Sequence, residues 1–125
     1  MKILLLVLFS VIFLNGCSSK GKQNIQPQHL LRLIELKQAP AIIDVRSESE
    51  YLEGHIPGAI HVPFWLAFSP SELESADPSG LLILYCQHGP RAGIAKLALS
   101  ISGFENIIYL EGHMSAWEKA KLPIN

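Results

Sequence analysis

Residues 81–101 read LLILYCQHGPRAGIAKLALSI, and this stretch decides the fold. Its first five residues are uniformly apolar, as in a strand that is buried on both faces of a parallel sheet. A short turn with glycine and proline follows, and the apolar spacing after it predicts a helix over Arg91 to Ile101. We expect Leu81–Tyr85 to be the central strand. Cys86 then lies at its carboxyl end, where parallel sheets bind ligands.

The sequence on either side alternates short apolar runs with helical patterns. Strands separated by helices predict an α/β domain with a central parallel sheet and helices on both faces. In the second predicted helix, Ser47 and Glu50 have the spacing of a capping box. The further predicted strands are 41–45, 59–62 and 107–110, and the further predicted helices are 27–37, 47 onward, one or two short ones within 63–80, and 115–121.

The first sixteen residues, MKILLLVLFSVIFLNG, have the pattern of a signal peptide, with Lys2 followed by an apolar stretch of 12 residues from Ile3 to Leu14. That apolar run is too short to span a bilayer, which needs about 20 residues. The junction that ends at Gly16-Cys17 resembles a bacterial lipoprotein signal. We therefore expect residues 1–16 to be cleaved, Cys17 to be lipidated, residues 18–24 to form a flexible tether and 25–125 to form the domain. An ordinary secretory signal and a retained anchor are the alternatives.

Composition is consistent with one exported soluble domain on a membrane anchor. The 125 residues include 10 Lys+Arg and 11 Asp+Glu, and the mean hydropathy of +0.27 is due to the first sixteen residues. The near-neutral charge and the absence of a basic run exclude nucleic acid as a partner. The expected location is the bacterial cell envelope, facing the periplasm. Because Ser18 rather than an aspartate follows Cys17, the outer membrane is favoured over the inner one in a Gram-negative source.

Cys86 is the candidate nucleophile. The chain has two cysteines, and lipidation of Cys17 would leave Cys86 as the only thiol. Backbone N–H groups that converge ahead of a helix N-terminus lower the pKa of a thiol, and Arg91 adds a positive charge to the loop. A buried structural cysteine is the alternative. The five histidines show no metal-ligand spacing, so we expect no metal site.

Four motifs, in order, make the chain resemble a single-domain rhodanese, or thiosulfate sulfurtransferase. The motifs are Asp44-Val45-Arg46 with Glu50-Tyr51, Gly54-His55-Ile56-Pro57-Gly58-Ala59-Ile60, Tyr85-Cys86 with the loop to Arg91, and Leu110-Glu111-Gly112 with Trp117. The resemblance covers residues 27 to 124. It implies a sheet of about five strands, no cofactor and a monomer.

The resemblance also implies a mechanism in which Cys86 takes a sulfur from thiosulfate, or a similar small anionic donor, and passes it as a persulfide to a thiol or cyanide acceptor. The residues implied to bind the substrate are Gln87, His88, Gly89, Arg91 and Ala92, with Arg46 at the rim of the pocket. His88 is expected to face the mouth of the pocket or solvent, where it either tunes the thiolate or has no chemical role.

Two alternatives to sulfur transfer remain. Related phosphatases and arsenate reductases have five residues between the cysteine and the arginine, whereas this chain has four, which favours sulfur over oxyanion chemistry. A non-catalytic binding module of the same fold, tethered in the envelope, is the second alternative. The departures from the family pattern are Pro90, which has no N–H, Ala92 in place of a common serine, and His113 in place of the second glycine of a common pair. If that glycine is needed for a positive φ, His113 is strained or the turn differs.

Overall fold

The computed structural model describes residues 23–125, so the predicted signal peptide, the lipidation of Cys17 and most of the predicted tether lie outside the described residues. Its strands are β1 (Asn24–Ile25), β2 (Ala41–Asp44), β3 (Ile60–His61), β4 (Leu81–Tyr85) and β5 (Asn106–Leu110). Its helices are α1 (Pro27–Glu35), α2 (Glu48–Glu53), α3 (Pro90–Ile101) and α4 (His113–Lys119), with short 3-10 turns at Phe64–Leu66 and Ser71–Leu73. Among residues 23–125, no helix is long and apolar enough to cross a bilayer.

The five strands form one parallel sheet in the order β1-β5-β4-β2-β3. The predicted α/β architecture and the central position of β4 are confirmed. β4 pairs with β2 on one side and with β5 on the other, so that Tyr85 lies opposite Asp44 and Leu84 opposite Tyr109. The carboxyl ends of β2, β4 and β5 therefore lie together at one edge of the sheet.

Helices cover both faces of the sheet because the side chains of each strand alternate between two cores. In β4, Leu82 and Leu84 belong to the core under α3, whereas Ile83 and Tyr85 belong to the core under α1 and α4. Three of the four buried residues on the α3 side of the first core are alanines, which let the helix approach the sheet closely. The buried residues of α3 are Ala92, Ala95, Ala98 and Leu99, and those of α4 are Met114 and Trp117.

The structure differs from the sequence prediction in one additional strand and in the ends of several elements. The two-residue strand β1 was not predicted, and its Asn24 was assigned to the tether. The backbone pairing of β1 with Tyr109 and Leu110 is what makes it a strand. α4 begins two residues earlier than expected, at His113. The strand predicted over 59–62 is limited to Ile60–His61.

Candidate active site

The loop from Cys86 to Gly89 connects β4 to α3 and surrounds the sulfur of Cys86. Within residues 23–125, Cys86 is the one cysteine and it is free. The Gly89 backbone N–H donates to Cys86 Sγ over 3.0 Å. Gly89 has φ +133°, a conformation that side chains rarely adopt, so a glycine is required at this position. With 1% of Cys86 exposed, only a slender terminal atom can reach the sulfur without a movement of the loop.

The pKa of the Cys86 thiol is set by opposing effects. Burial raises it, whereas hydrogen bonding from His113 and from the backbone N–H groups of Ala92 and Gly89 lowers it, and the net result is a pKa lowered to about 7. Hydrogen bonds from His113 and from N–H groups at the start of α3 therefore favour the thiolate despite its burial. The thiolate is the nucleophilic form of cysteine, so a thiol whose pKa is lowered in this way is a candidate nucleophile.

The carbonyl groups of the same loop point away from the sulfur and are bound by the first turn of α4. Met114 N–H donates to the Cys86 carbonyl over 3.0 Å, and Ser115 N–H donates to the Gln87 carbonyl over 3.2 Å. The first N–H groups of a helix have no partner inside the helix. Since no side chain among the described residues caps α4, these loop carbonyls serve as its cap.

Ser115 also holds the two side chains that follow Cys86. Its hydroxyl lies 2.9 Å from the Gln87 carbonyl and 2.9 Å from His88 Nδ1, and Gln87 Nε2 donates to it over 3.3 Å. Because a hydroxyl has one proton, donation to the Gln87 carbonyl requires that His88 Nδ1–H be the donor to Ser115. His88 is exposed and turned toward α4, an arrangement that fits the expectation of a side chain facing solvent.

Arg46, predicted to border the pocket, is almost fully buried beside Asp44. Three bonds of 2.7–3.1 Å join its guanidinium to that carboxylate, and a further 2.7 Å bond reaches the Gly54 carbonyl. Its remaining nitrogen, Nη1, donates to Gln87 Oε1 over 3.2 Å. Arg46 thus joins the end of β2 and the end of α2 to the loop.

Arg91 is not the free positive charge that the sequence suggested. It lies in the first turn of α3 and forms two bonds, of 2.5 and 2.9 Å, with the Glu50 carboxylate. Arg91 lowers the pKa of Glu50 to about 2, so the carboxylate is charged at neutral pH. Glu50 completes the predicted capping box with Ser47 at the same time. Its sequence signal was that of a helix cap, and nothing in the spacing indicated the pairing across 41 residues.

A cavity of about 360 Å³ lies beside the loop. Two predicted residues, Arg46 and Gln87, line it together with three carboxylates that were not predicted to be there. Because both arginines of the site already have carboxylate partners, this mouth is not strongly positive. Its lining residues are Arg46, Glu50, Glu53, Gly54, Gln87, Glu118 and Ile124.

His113, noted in the sequence only as a departure, lies against the loop. Its backbone has φ +56°, so the positive φ anticipated for this position is present. Its Nδ1 accepts the Cys86 backbone N–H over 3.2 Å. The available signal was its place three residues after the end of β5, the strand beside β4, since residues that follow neighbouring parallel strands meet at one edge of the sheet. Ala92, in contrast, contributes its N–H while its methyl group is buried in the core.

The comparisons with known proteins agree with this architecture. Residues 26–120 match the rhodanese-like domain. The Synechocystis protein slr1261 is 36% identical over 106 residues, which are 85% of this chain and 58% of that protein, so the chain spans little more than half of that relative. The thiosulfate:glutathione sulfurtransferase of Saccharomyces cerevisiae is 34% identical over 120 residues and is matched over 82% of this chain and 86% of its own length.

A solved structure is similar at the level of the fold. The solution NMR structure of the rhodanese-like domain of the Anabaena protein Alr3790 has a TM-score of 0.71 and 26% identity, over 84% of this chain and 80% of that one. The family match covers strands β2 to β5, the four helices and the loop around Cys86. The chain therefore belongs to the rhodanese-like domain family.

Proposed function

We propose that the protein is a sulfurtransferase that carries sulfur on Cys86. The observation that carries the proposal is a thiol with a pKa near 7 that accepts the Gly89 N–H and lies at the N-terminus of α3. A thiolate and the terminal sulfur of a persulfide are both anionic, and both are stabilised by N–H groups aimed at one point.

The reaction has two displacements and needs no redox partner. The Cys86 thiolate attacks the outer sulfur of the donor, the donor S–S bond breaks, and the leaving group departs with the electron pair (sulfite, when thiosulfate is the donor). A thiolate or cyanide then attacks the outer sulfur of the Cys86 persulfide. The S–S bond of the persulfide breaks and its electron pair returns to Cys86 as the thiolate.

The name of the yeast relative, thiosulfate:glutathione sulfurtransferase, supports thiosulfate as donor and a thiol as acceptor. The low exposure of Cys86 supports a donor with a slender terminal sulfur. The four residues from Gln87 to Pro90 give a small loop, as the resemblance implies for sulfur rather than a tetrahedral oxyanion. A non-catalytic binding module would require neither the N–H groups aimed at Cys86 nor its lowered pKa.

Replacement of the nucleophile tests the proposal directly. In wild-type protein incubated with thiosulfate, we expect intact-mass spectrometry to show the addition of one sulfur atom, and cyanide to remove it as thiocyanate. Cys86→Ser has no sulfur to carry and should show neither. A folded wild-type protein that gains no sulfur and releases no thiocyanate would favour a binding module, whose partner should still bind Cys86→Ser.

The lowered pKa of Cys86 predicts the pH dependence of transfer. Because the thiolate is the nucleophile, kcat/KM for the donor should fall about tenfold for each pH unit below about 6, and should level off above about 8. Steady-state rates between pH 5 and pH 10 measure this profile. An inflection near the ordinary thiol value of about 8.5 would contradict the assignment of the N–H groups to thiolate stabilisation.

The pairing of Arg91 with Glu50 predicts a weak attraction for an anionic donor. Glu50→Gln removes the neutralising charge and keeps a side chain that can serve in a capping box, so we expect KM for thiosulfate to fall about threefold at low ionic strength. The effect should shrink in high salt because exposed charges are screened. Glu48→Gln, an exposed position of the same helix, is the matched control. Equal changes in both variants would assign the effect to overall charge instead of Arg91.

We further propose that the domain is held in the bacterial envelope by lipid on Cys17. The junction at Gly16-Cys17 supports this, and the seven residues from Cys17 to Gln23 would keep β1 within about 24 Å of the bilayer. Protein isolated from membranes should have the mass of a chain that begins at an acylated Cys17, and Cys17→Ala should leave the membrane fraction. A membrane-bound protein that retains residues 1–16 would instead indicate an uncleaved anchor.

A further inference from the structure

His113 occupies a backbone conformation that costs free energy. It follows Gly112 at the end of β5 and has φ +56°, in the left-handed region that glycine and asparagine adopt more readily than other residues. Gly112 is itself left-handed with φ +69°, so two consecutive residues turn the chain here. A strained residue that is not glycine persists where its side chain makes contacts that offset the strain, and such residues cluster at functional sites.

The imidazole of His113 forms a hydrogen bond at one end of the loop and lies beside the other end. At the first residue, Nδ1 lies 3.2 Å from the Cys86 backbone nitrogen. At the fourth, Nε2 and Cδ2 lie 3.3 and 3.5 Å from where a Cβ on Gly89 would stand. Behind it, the ring faces Tyr109, with 5.9 Å between the ring centroids. The ring therefore fills the space between β5 and the turn that brings the Gly89 N–H to the sulfur.

These contacts determine which form of the imidazole is compatible with the loop. The Cys86 nitrogen is a donor, so Nδ1 must be unprotonated and the neutral ring carries its proton on Nε2. If Nδ1 carried a proton, its N–H would point at the Cys86 backbone N–H, and the hydrogen bond between them would be lost. The observed geometry of the loop therefore requires the Nε2–H tautomer of His113.

We propose that His113, as the neutral Nε2–H tautomer, is a positioning residue that holds Cys86 and Gly89 at the spacing in which a backbone N–H bonds the sulfur. This inference rests on the proposed function for its chemical purpose. After burial, which acts in the opposite sense, the His113 side chain has the largest effect on the pKa of Cys86, through a hydrogen bond with the thiol itself. His113 belongs to this chain's own departures from the family pattern, since the family commonly has glycine there.

Other charged and titratable groups surround the thiol but do not bond its backbone. Arg91 of α3 and Tyr109 of β5 both interact electrostatically with Cys86. Behind them, Glu50 binds Arg91, and Lys96 lies 5.0 Å above the Tyr109 ring. His88 of the loop itself is bonded to Ser115.

The test measures the thiol directly. Wild-type protein, His113→Asn and His113→Gly are alkylated with iodoacetamide from pH 5 to pH 10, and the rate is plotted against pH. Asparagine tolerates a positive φ and its Oδ1 can accept the Cys86 N–H, whereas glycine tolerates that φ without supplying an acceptor or a ring. His29→Asn, an exposed histidine of α1, is the matched control.

We expect His113→Gly to move the inflection up by about one pH unit. Its alkylation rate at pH 6 should be about tenfold below wild type, and the rates should converge above pH 9. His113→Asn should stay within about threefold of wild type, and His29→Asn should be unchanged. A wild-type profile in folded His113→Gly overturns the proposal. So does a His113→Asn profile equal to that of His113→Gly, because the acceptor at Nδ1 would then be irrelevant.

A second measurement uses the unaltered protein and decides the matter if the variants do not fold. The ¹⁵N chemical shifts of the His113 ring in wild-type protein should report the neutral Nε2–H tautomer at pH 7.5. An Nδ1–H tautomer or an imidazolium there overturns the proposal. Since neither alkylation nor these shifts need a sulfur donor, a failure of sulfur transfer would leave both results standing.

Discussion

The structure depends on hydrogen bonds between the loop after β4 and the first turn of α4. A loop that turns its N–H groups inward toward one sulfur leaves its carbonyls pointing outward, and a buried carbonyl without a donor is costly. The first N–H groups of a helix, in contrast, lack acceptors within the helix. The hydrogen bonds from the Met114 and Ser115 N–H groups to the Cys86 and Gln87 carbonyls therefore provide donors for the loop and acceptors for α4. The end of the chain is therefore part of the site.

This arrangement explains how a thiol that is 1% exposed can be acidic. Burial alone would raise its pKa, because the charged form loses water. N–H groups held in place by α3 and α4 replace that water without having to reorganise when the charge forms. The thiolate is stabilised mainly by backbone N–H groups and by the His113 side chain, which a composition of nearly equal acidic and basic residues does not reveal.

The sequence predicted the parts of the site that are local in the chain. The apolar run before Cys86 and the Gly-Pro turn after it were sufficient to place β4, the loop and α3, and the spacing of Ser47 and Glu50 was sufficient for the cap of α2. The contacts that cross the sheet edge were not predicted. Glu50 binds Arg91 across 41 residues and His113 binds Cys86 across 27, and both depend on strand register. The strand β1 was not predicted for the same reason, since its two residues form a strand only through their pairing with β5.

The partnering of the two arginines bears on what kind of substrate the site can hold. Arg46 is engaged by Asp44 and Arg91 by Glu50, so neither offers a full positive charge to a ligand. Attraction of a small anion must then come from N–H groups at short range, where geometry matters more than charge. Long-range electrostatic attraction of an anionic ligand toward the site, which depends on a net positive potential, is correspondingly weak. For the sulfur transfer proposed above, such a site would select a donor by the shape of the terminal sulfur that fits the loop. The carboxylate-lined cavity beside Gln87 would then contact the rest of the donor or acceptor molecule.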